Sequence, residues 1–268
     1  MKMKWVLIIG TLLVCVLIYN HIQISKFYVN KPVLYSSKLS KELRITQISD
    51  YHANYRIVKD RLLRDIREFA PHIIVLTGDL IDSRTKDIKP TLELIEDVIS
   101  INKNVFYVNG NHELGCILGD EFISSLKAMG VTLLENTREV IDIDGEGINM
   151  CGVGFYISQR DYKNTLERID EKNFTILLSH SPNRPLYYMT GKEDLIISGH
   201  THGGQVRLPF VGAIIAPGQG YLPKYDKGIF KIENTLLYID SGLGNSVFPI
   251  RFFNRVQISN ITIKGIKH

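Results

Sequence analysis

Cysteine is scarce in this chain: three in 268 residues, at Cys15, Cys116 and Cys151. That excludes a disulfide framework. With Cys15 inside an apolar N-terminal run, the other two are expected as separate small core side chains rather than a bridge. Surplus charge is also nearly missing. Lys and Arg number 32 against 28 Asp and Glu, and Lys2, Lys4 and Lys26 supply most of the difference, leaving +1 for residues 27–268. A near-neutral body makes nonspecific phosphate-backbone binding a poor default, so nucleic acid is not an expected partner. Repeats and low-complexity tracts are absent. Hydrophobic residues at 44% and charged residues at 22% form an ordinary globular balance, which excludes extended disorder and collagen-like sequence.

What is present begins at the N-terminus. Lys2 and Lys4 precede Trp5–Tyr19, fifteen residues dominated by Val, Leu and Ile. As a helix that run reaches only about 22 Å, short of the ~30 Å hydrocarbon core. No charge appears until Lys26, however, so Trp5–Ser25 gives 21 uncharged residues that can span. Trp5 and Tyr19 suit the two interfaces. No small-x-small cleavage site follows the run, so residues 1–26 are expected to be an uncleaved anchor. The short basic flank favours a cytoplasmic N-terminus, a single-pass cell-membrane protein and an extracytoplasmic body.

Residues 27–42 read as a juxtamembrane spacer without strong periodicity, and residues 43–268 as the catalytic domain. Leu43–Ser49, His72–Thr77 and Asn104–Val108 read as strands, and Val58–Phe69 and Thr91–Ile101 as helices between them, which implies a parallel sheet with right-handed crossovers. A helix over Gly119–Met129 is followed by strands at Thr132–Leu134, Glu139–Ile143 and Ile148–Val153, with Asp144–Gly147 as a turn. Phe174–Ser179, Leu195–Ser198, Gly228–Ile232, Leu236–Ile239 and Val256–Ile263 complete the strands. The expected fold class is α/β, with two packed mixed β-sheets flanked by helices.

The chemistry-bearing residues stand at strand C-terminal ends, where open α/β sheets place ligands. In order these are Asp50-Tyr51-His52, Gly78-Asp79, Gly110-Asn111-His112-Glu113, His180, and Gly199-His200-Thr201-His202-Gly203-Gly204. Each alone has an ordinary reading as a turn, a cap or a satisfied histidine. In the last motif, two imidazoles two residues apart point the same way if the backbone is extended. Together, five strand ends deliver Asp, His and Asn, the donor set of borderline divalent metals.

This order of motifs resembles the calcineurin-like metallophosphoesterases over about residues 43–204. GHTHGGQVRLPF and the later YDKGIF and LYIDSGLGNSVFPIRF are similar to the exported or membrane-anchored phosphodiesterase branch; Tyr51 departs from the aliphatic residue usual there, at a position that is not a ligand. The resemblance implies an αββα sandwich and a two-metal site. Asp50, His52, Asp79 and His202 match the ligands of one ion; Asp79 bridges to a second, joined by Asn111, His180 and His200. His112 matches the histidine that contacts the scissile phosphate and aids the leaving group. Two cations ~3.5–4 Å apart polarise a phosphoryl oxygen and acidify a water, a logic that stands without the family. Mixed N and O donors suit Mn, Fe or Zn.

Asp82 and Glu113 are expected to orient histidine rings. His21, His72 and His268 lie outside the motifs and read as surface or interface residues. Tyr187, Tyr188, Phe210, Tyr221 and Tyr225 read as core, and Arg207 and Arg251 as surface cations. The leading reading is a dinuclear-metal phosphohydrolase acting on a phosphodiester or related phosphoester of a membrane- or envelope-associated molecule. Rivals are a pyrophosphatase of a nucleotide-linked acyl sugar, a phosphomonoesterase or protein phosphatase, and a nuclease. A non-catalytic scaffold would be expected to have lost ligands, and an amide or lactam zinc hydrolase fits the motif order poorly.

Overall fold

A computed structural model describes residues 2–245 and 248–266; His268 lies outside them. Helix α1 (Lys2–Ser25) leads into strands β1 (Tyr28–Asn30), β2 (Val33–Ser36) and β3 (Leu43–Ile48). Then come α2 (Lys59–Phe69), β4 (Ile73–Leu76), α3 (Lys89–Ile101), β5 (Val105–Tyr107), α4 (Asn111–Gly115), α5 (Gly119–Ala128) and β6 (Thr132–Leu133). The second half holds β7 (Thr137–Ile143), β8 (Glu146–Val153), α6 (Gln159–Glu167), β9 (Phe174–Ser179), α7 (Asn183–Tyr188) and β10 (Leu195–Ser198). Two small hairpins follow, β11 (Arg207–Leu208) with β12 (Gly212–Ala213) and β13 (Ile215–Ala216) with β14 (Gly220–Tyr221). β15 (Gly228–Ile232), β16 (Thr235–Ile239) and β17 (Gln257–Gly265) close the chain.

These strands form two mixed sheets. One runs β1-β17-β3-β4-β5-β6 with β2 also on β17; the other runs β15-β16-β10-β9-β8-β7. Strand periodicity sorts the apolar runs into layers. Ile73 and Val75 of β4 meet Ile176 and Leu178 of β9 and Leu195 and Ile197 of β10 between the sheets. Ile74 and Leu76 face the other way, onto Leu62 and Ile66 of α2 and Leu94 and Val98 of α3. On the far side Leu177 and Ile196 pack against Tyr162 and Leu166 of α6. The result is the expected sandwich of two sheets between helices. Strands buried on both faces explain why HIIVL and FTILL are continuously apolar rather than alternating, and each such Ile or Leu contributes about 1.5–3 kcal/mol by burial.

Residues 27–42 are not a spacer. β1 pairs in parallel with β17 from Tyr28 opposite Gln257, and β2 pairs with its other half from Val33 opposite Thr262. Strands of three and four residues are too short to show a period, and their partner lies more than two hundred residues away, so local pattern could not reveal them. Phe27 is 1% exposed, in the core under the Arg61 guanidinium. Cys116 and Cys151 are buried free thiols, as expected. Among the aromatics expected in the core, Tyr188 and Tyr225 pack there, whereas Tyr187, Phe210 and Tyr221 are exposed.

Because Phe27 belongs to the folded unit, Phe27→Ala is expected to lower unfolding stability by about 3–5 kcal/mol. Urea denaturation of the full chain in detergent checks this; a change near zero would return the segment to spacer status.

Candidate metal centre

The C-terminal ends of β3, β4, β5, β9 and β10 open into one crevice between the sheets. Backbone hydrogen bonds lock the loops together: Asp50 N–H donates to Gly78 O, His52 N–H to Asp79 O, and Gly199 N–H to His180 O. Five of the seven candidate ligands, Asp50, His52, Asp79, His200 and His202, have positive φ. Left-handed backbone at non-glycine residues costs about 1–3 kcal/mol each, strain that the surrounding structure holds in place. Close approach also demands glycine here. A Cβ at Gly199 would lie 2.2 Å from Asp50 Oδ2, and one at Gly110 would lie 2.0 Å from Asp79 Oδ1.

The side chains gather in three overlapping groups: His52 and Asp79 meet His112 in one, and the candidate ligands form two clusters of their own. Asp50, His52 and His202 have donor atoms within 4.8 Å of one another, as do Asp79, His180 and His200. In the first, His52 Nε2 and His202 Nε2 are 3.2 Å apart and His202 Nε2 is 3.5 Å from Asp50 Oδ1. In the second, His180 Nε2 lies 3.1 Å from both Asp79 Oδ2 and His200 Nδ1. Asp79 Oδ2 is also 3.7 Å from His52 Nε2, so one carboxylate oxygen stands between the clusters. His200 and His202 therefore serve different clusters. The expectation that they point the same way fails because both have positive φ rather than extended backbone.

The environment of each group suits a cation. His180 Nδ1–H donates to Thr77 O, which turns the lone pair of a neutral ring on Nε2 toward Asp79 and His200. Asn111 Oδ1 and His52 Nδ1 are buried without a hydrogen-bond partner. An orphaned amide oxygen here, beside imidazole nitrogens that face one another and two buried carboxylates, fits divalent ions with mixed N and O coordination. Burial holds His52 down to about 4 and His200 to about 3, and His202 well below its ordinary value, so their nitrogens stay unprotonated near neutrality. Burial pushes Asp50 up to about 7. Burial disfavours the His180 cation too, but the Asp79 carboxylate against it prevails and raises it to about 10.

Glu113 has a different task from the one expected. Its carboxyl accepts the N–H groups of Asp79, Leu80, Ile81 and Gly110, fixing the loop backbone instead of a histidine ring. Burial and the Asp79 charge push it up to about 7, while the N–H donors oppose them. Asp82 Oδ2 lies 3.8 Å from His52 Nδ1 and 3.6 Å from His112 Nδ1, between the two rings but bonded to neither; it accepts from Arg84. His112 N–H donates to Asp79 Oδ1, and Ser83 N–H donates to His112 Nδ1. The His112 ring meets the His52 ring edge-on at 4.6 Å.

Arg251 is not a surface cation. It is 1% exposed, donates to Ser241 O, Gly244 O and Asn254 O, and lies 3.4 Å from His202 Nδ1. Arg207 is tied to Asp226 and Gly203 O. His21 and His72 lie away from the crevice: His21 is exposed on α1, and His72 Nδ1 accepts Arg44 N–H. Phe155, which no motif marked, packs its ring 5.9 Å from His180 and 5.4 Å from His200. A cavity of about 310 Å³ beside His52 includes Arg56 and Arg84, likewise outside any motif, with Asn245 and Pro249 of the segment LYIDSGLGNSVFPIRF.

The profile of the calcineurin-like phosphoesterase family matches residues 43–204, the span that holds all seven candidate ligands and His112. The chain belongs to this family. It is 32% identical over 233 residues to the uncharacterized metallophosphoesterase YkuE of Bacillus subtilis (strain 168), covering 83% of this chain and 79% of that protein. An uncharacterized metallophosphoesterase of Helicobacter pylori (strain J99 / ATCC 700824) is 30% identical over 86% of this chain and 62% of its own length. The transmembrane protein with metallophosphoesterase domain of Danio rerio is 24% identical over 83% of this chain and 53% of its own. Among solved structures, the NAD nucleotidase of Haemophilus influenzae superposes with a TM-score of 0.53 at 16% identity, over 75% of this chain and 45% of that one. At that identity the likeness is one of fold. Family and clustered donors together support a metal-dependent phosphoester hydrolase.

Protons on Asp50 and His180 compete with a cation, since ligands bind metal deprotonated. Metal uptake near pH 7 is therefore expected to release protons and to tighten as pH rises from 6 to 8 (~ one unit either side of neutrality). Titration calorimetry of chelator-stripped protein in buffers of different ionisation enthalpy measures this. Heats that do not change with buffer would contradict the assigned protonation.

Proposed function

We propose that this protein is a dinuclear-metal phosphodiesterase, or a hydrolase of a closely related phosphoester, acting on a membrane- or envelope-associated substrate. The observation that carries the two-ion reading is the position of Asp79 Oδ2 between the two donor clusters. Asp50, His52, Asp79 and His202 would hold one ion, and Asp79, Asn111, His180 and His200 the other. Divalent ions held there supply Lewis acidity, polarising a phosphoryl oxygen and acidifying a water for attack.

The remaining steps belong to the chain. Ser83 N–H occupies His112 Nδ1, so a neutral His112 ring carries its proton on Nε2 and can hydrogen-bond the departing oxygen. Arg56 and Arg84 at the mouth offer positive charge to a phosphoester that still carries a substituent. Phe155 shields His180 and His200 from water on one side, strengthening the electrostatics within.

The proposed location is supported by α1. Its 24 residues make about 36 Å of helix, and it stands exposed for most of its length. Read as an uncleaved single-pass anchor, it keeps the catalytic domain on the extracytoplasmic face of the cell membrane. The name of the Danio rerio relative supports a membrane setting.

The test uses the full chain in detergent, stripped with chelator and restored with Mn²⁺, Zn²⁺ or Fe²⁺, with chromogenic diester and monoester substrates side by side. Diester turnover should need metal and disappear in His200→Ala. His112→Ala should retain metal yet lose about 10²–10⁴-fold in kcat, with the larger loss on alkyl leaving groups, which need a donor more than nitrophenolate does. Monoester turnover that exceeds diester turnover would refute the diesterase assignment.

A further inference from the structure

The segment Phe248–Phe253 links the metal centre to the anchor. The Asn20 side chain of α1 donates to Pro249 O and accepts Arg251 N–H, at 2.9 and 3.0 Å, and the Tyr19 hydroxyl accepts Phe253 N–H at 3.0 Å. The Tyr19 ring meets those of Phe252 and Phe253 edge-on, with centroids 5.6 and 6.3 Å away. Beside these contacts a cavity of about 520 Å³ is lined by Leu12 and Val16 of α1 and by Ile250 and Phe252 of the segment. Leu12 lies seven residues, or about 10 Å, before Tyr19 along the helix. The segment thus runs alongside the apolar stretch of α1 instead of stopping at its polar end.

The segment's outward side chains are apolar as well. Phe248 is 71% exposed, Ile250 54% and Phe253 57%. Pro249 O and the N–H groups of Arg251 and Phe253 are already satisfied by α1, in keeping with a segment that leaves water. Arg207 N–H donates to Phe252 O, and the hairpin that Arg207 starts carries exposed Phe210 and Val211 between its strands. On its inner side, Pro249 lines the cavity that also holds His52 and Arg84. The anchor's last turn reaches the same place, because Asn54 donates to Ile24 O two residues after His52.

We propose that the Phe248–Phe253 segment is a second membrane contact, docking on the lipid bilayer beside α1 and laying the mouth of the metal centre on the headgroup layer. The occupant is the bilayer because the segment continues the apolar surface of a helix of spanning length, at the same depth. The inference rests on the reading of α1 as a membrane anchor. Aromatic and aliphatic side chains at this depth bury about 5–10 Å into the boundary of headgroups and acyl chains. A phosphoester in the headgroup layer then faces Arg56 and Arg84 without leaving the membrane.

Trp5 is the only tryptophan in the chain and lies in α1, which makes the two readings separable. The full chain is reconstituted in vesicles of phosphatidylcholine and phosphatidylglycerol, with and without brominated acyl chains. Phe252→Trp and Phe253→Trp are each placed on Trp5→Phe. The expected result is loss of the introduced indole's emission to brominated lipid, comparable to the loss shown by Trp5 in the unaltered chain, with protection from aqueous iodide. If Trp5 is quenched by the lipid while both introduced indoles answer only to iodide, the docking surface is overturned and the anchor stands. Indoles shielded from both quenchers would put a second protein copy on the segment and overturn the lipid assignment. If Trp5 itself escapes the brominated lipid, the anchor reading fails, and the docking inference with it.

Discussion

Two carboxylates and four imidazoles crowded into a crevice between two sheets are unfavourable by themselves, and much of the fold compensates for them. Burial penalises every charge there, while the like charges of Asp50 and Asp79 oppose one another. Compensation comes from groups that do no chemistry: Thr77 O on His180, the N–H of His200 on Asp50, and the N–H of His112 on Asp79. Even so, Asn111 Oδ1 remains orphaned. A protein interior seldom tolerates such groups unless something outside the chain completes them, and strained backbone at five of the candidate ligand positions carries the same implication.

Much of this was legible because parallel sheets put function at strand ends. The buried runs before Asp50, Asp79, Asn111, His180 and His200 mark strands by composition, and the polar residue that follows each run has no core role to play. What stayed hidden depends on contacts distant in sequence. Glu113 looked like a partner for histidine, yet its four N–H donors come from two loops that only the folded chain brings together. Arg251 carries no sequence sign of burial; carbonyls of Ser241, Gly244 and Asn254 enclose it. The separation of His200 from His202 turns on positive φ at both, which a Gly-rich neighbourhood permits but does not announce. α4 and α7, of five and six residues, are too short for a helical period.

The fold also binds the chain's two ends together. β17 lies between β1 and β3, so the strand that follows α1 and the strand that leads to Asp50 share one closing partner. β1 begins three residues after α1 ends, too short a connection for free swivelling. Asn54 and Val256 add direct hydrogen bonds to the last turns of α1, at Ile24 O and Gln23 O. An anchor on a flexible tether would let the crevice face any direction. One hydrogen-bonded to the loop that carries Asp50 and His52 fixes the crevice at a set angle to the helix. With α1 in a bilayer, as proposed, orientation toward the membrane would be a property of the folded domain, and a substrate confined to that surface would meet the site with much of its orientational entropy already lost.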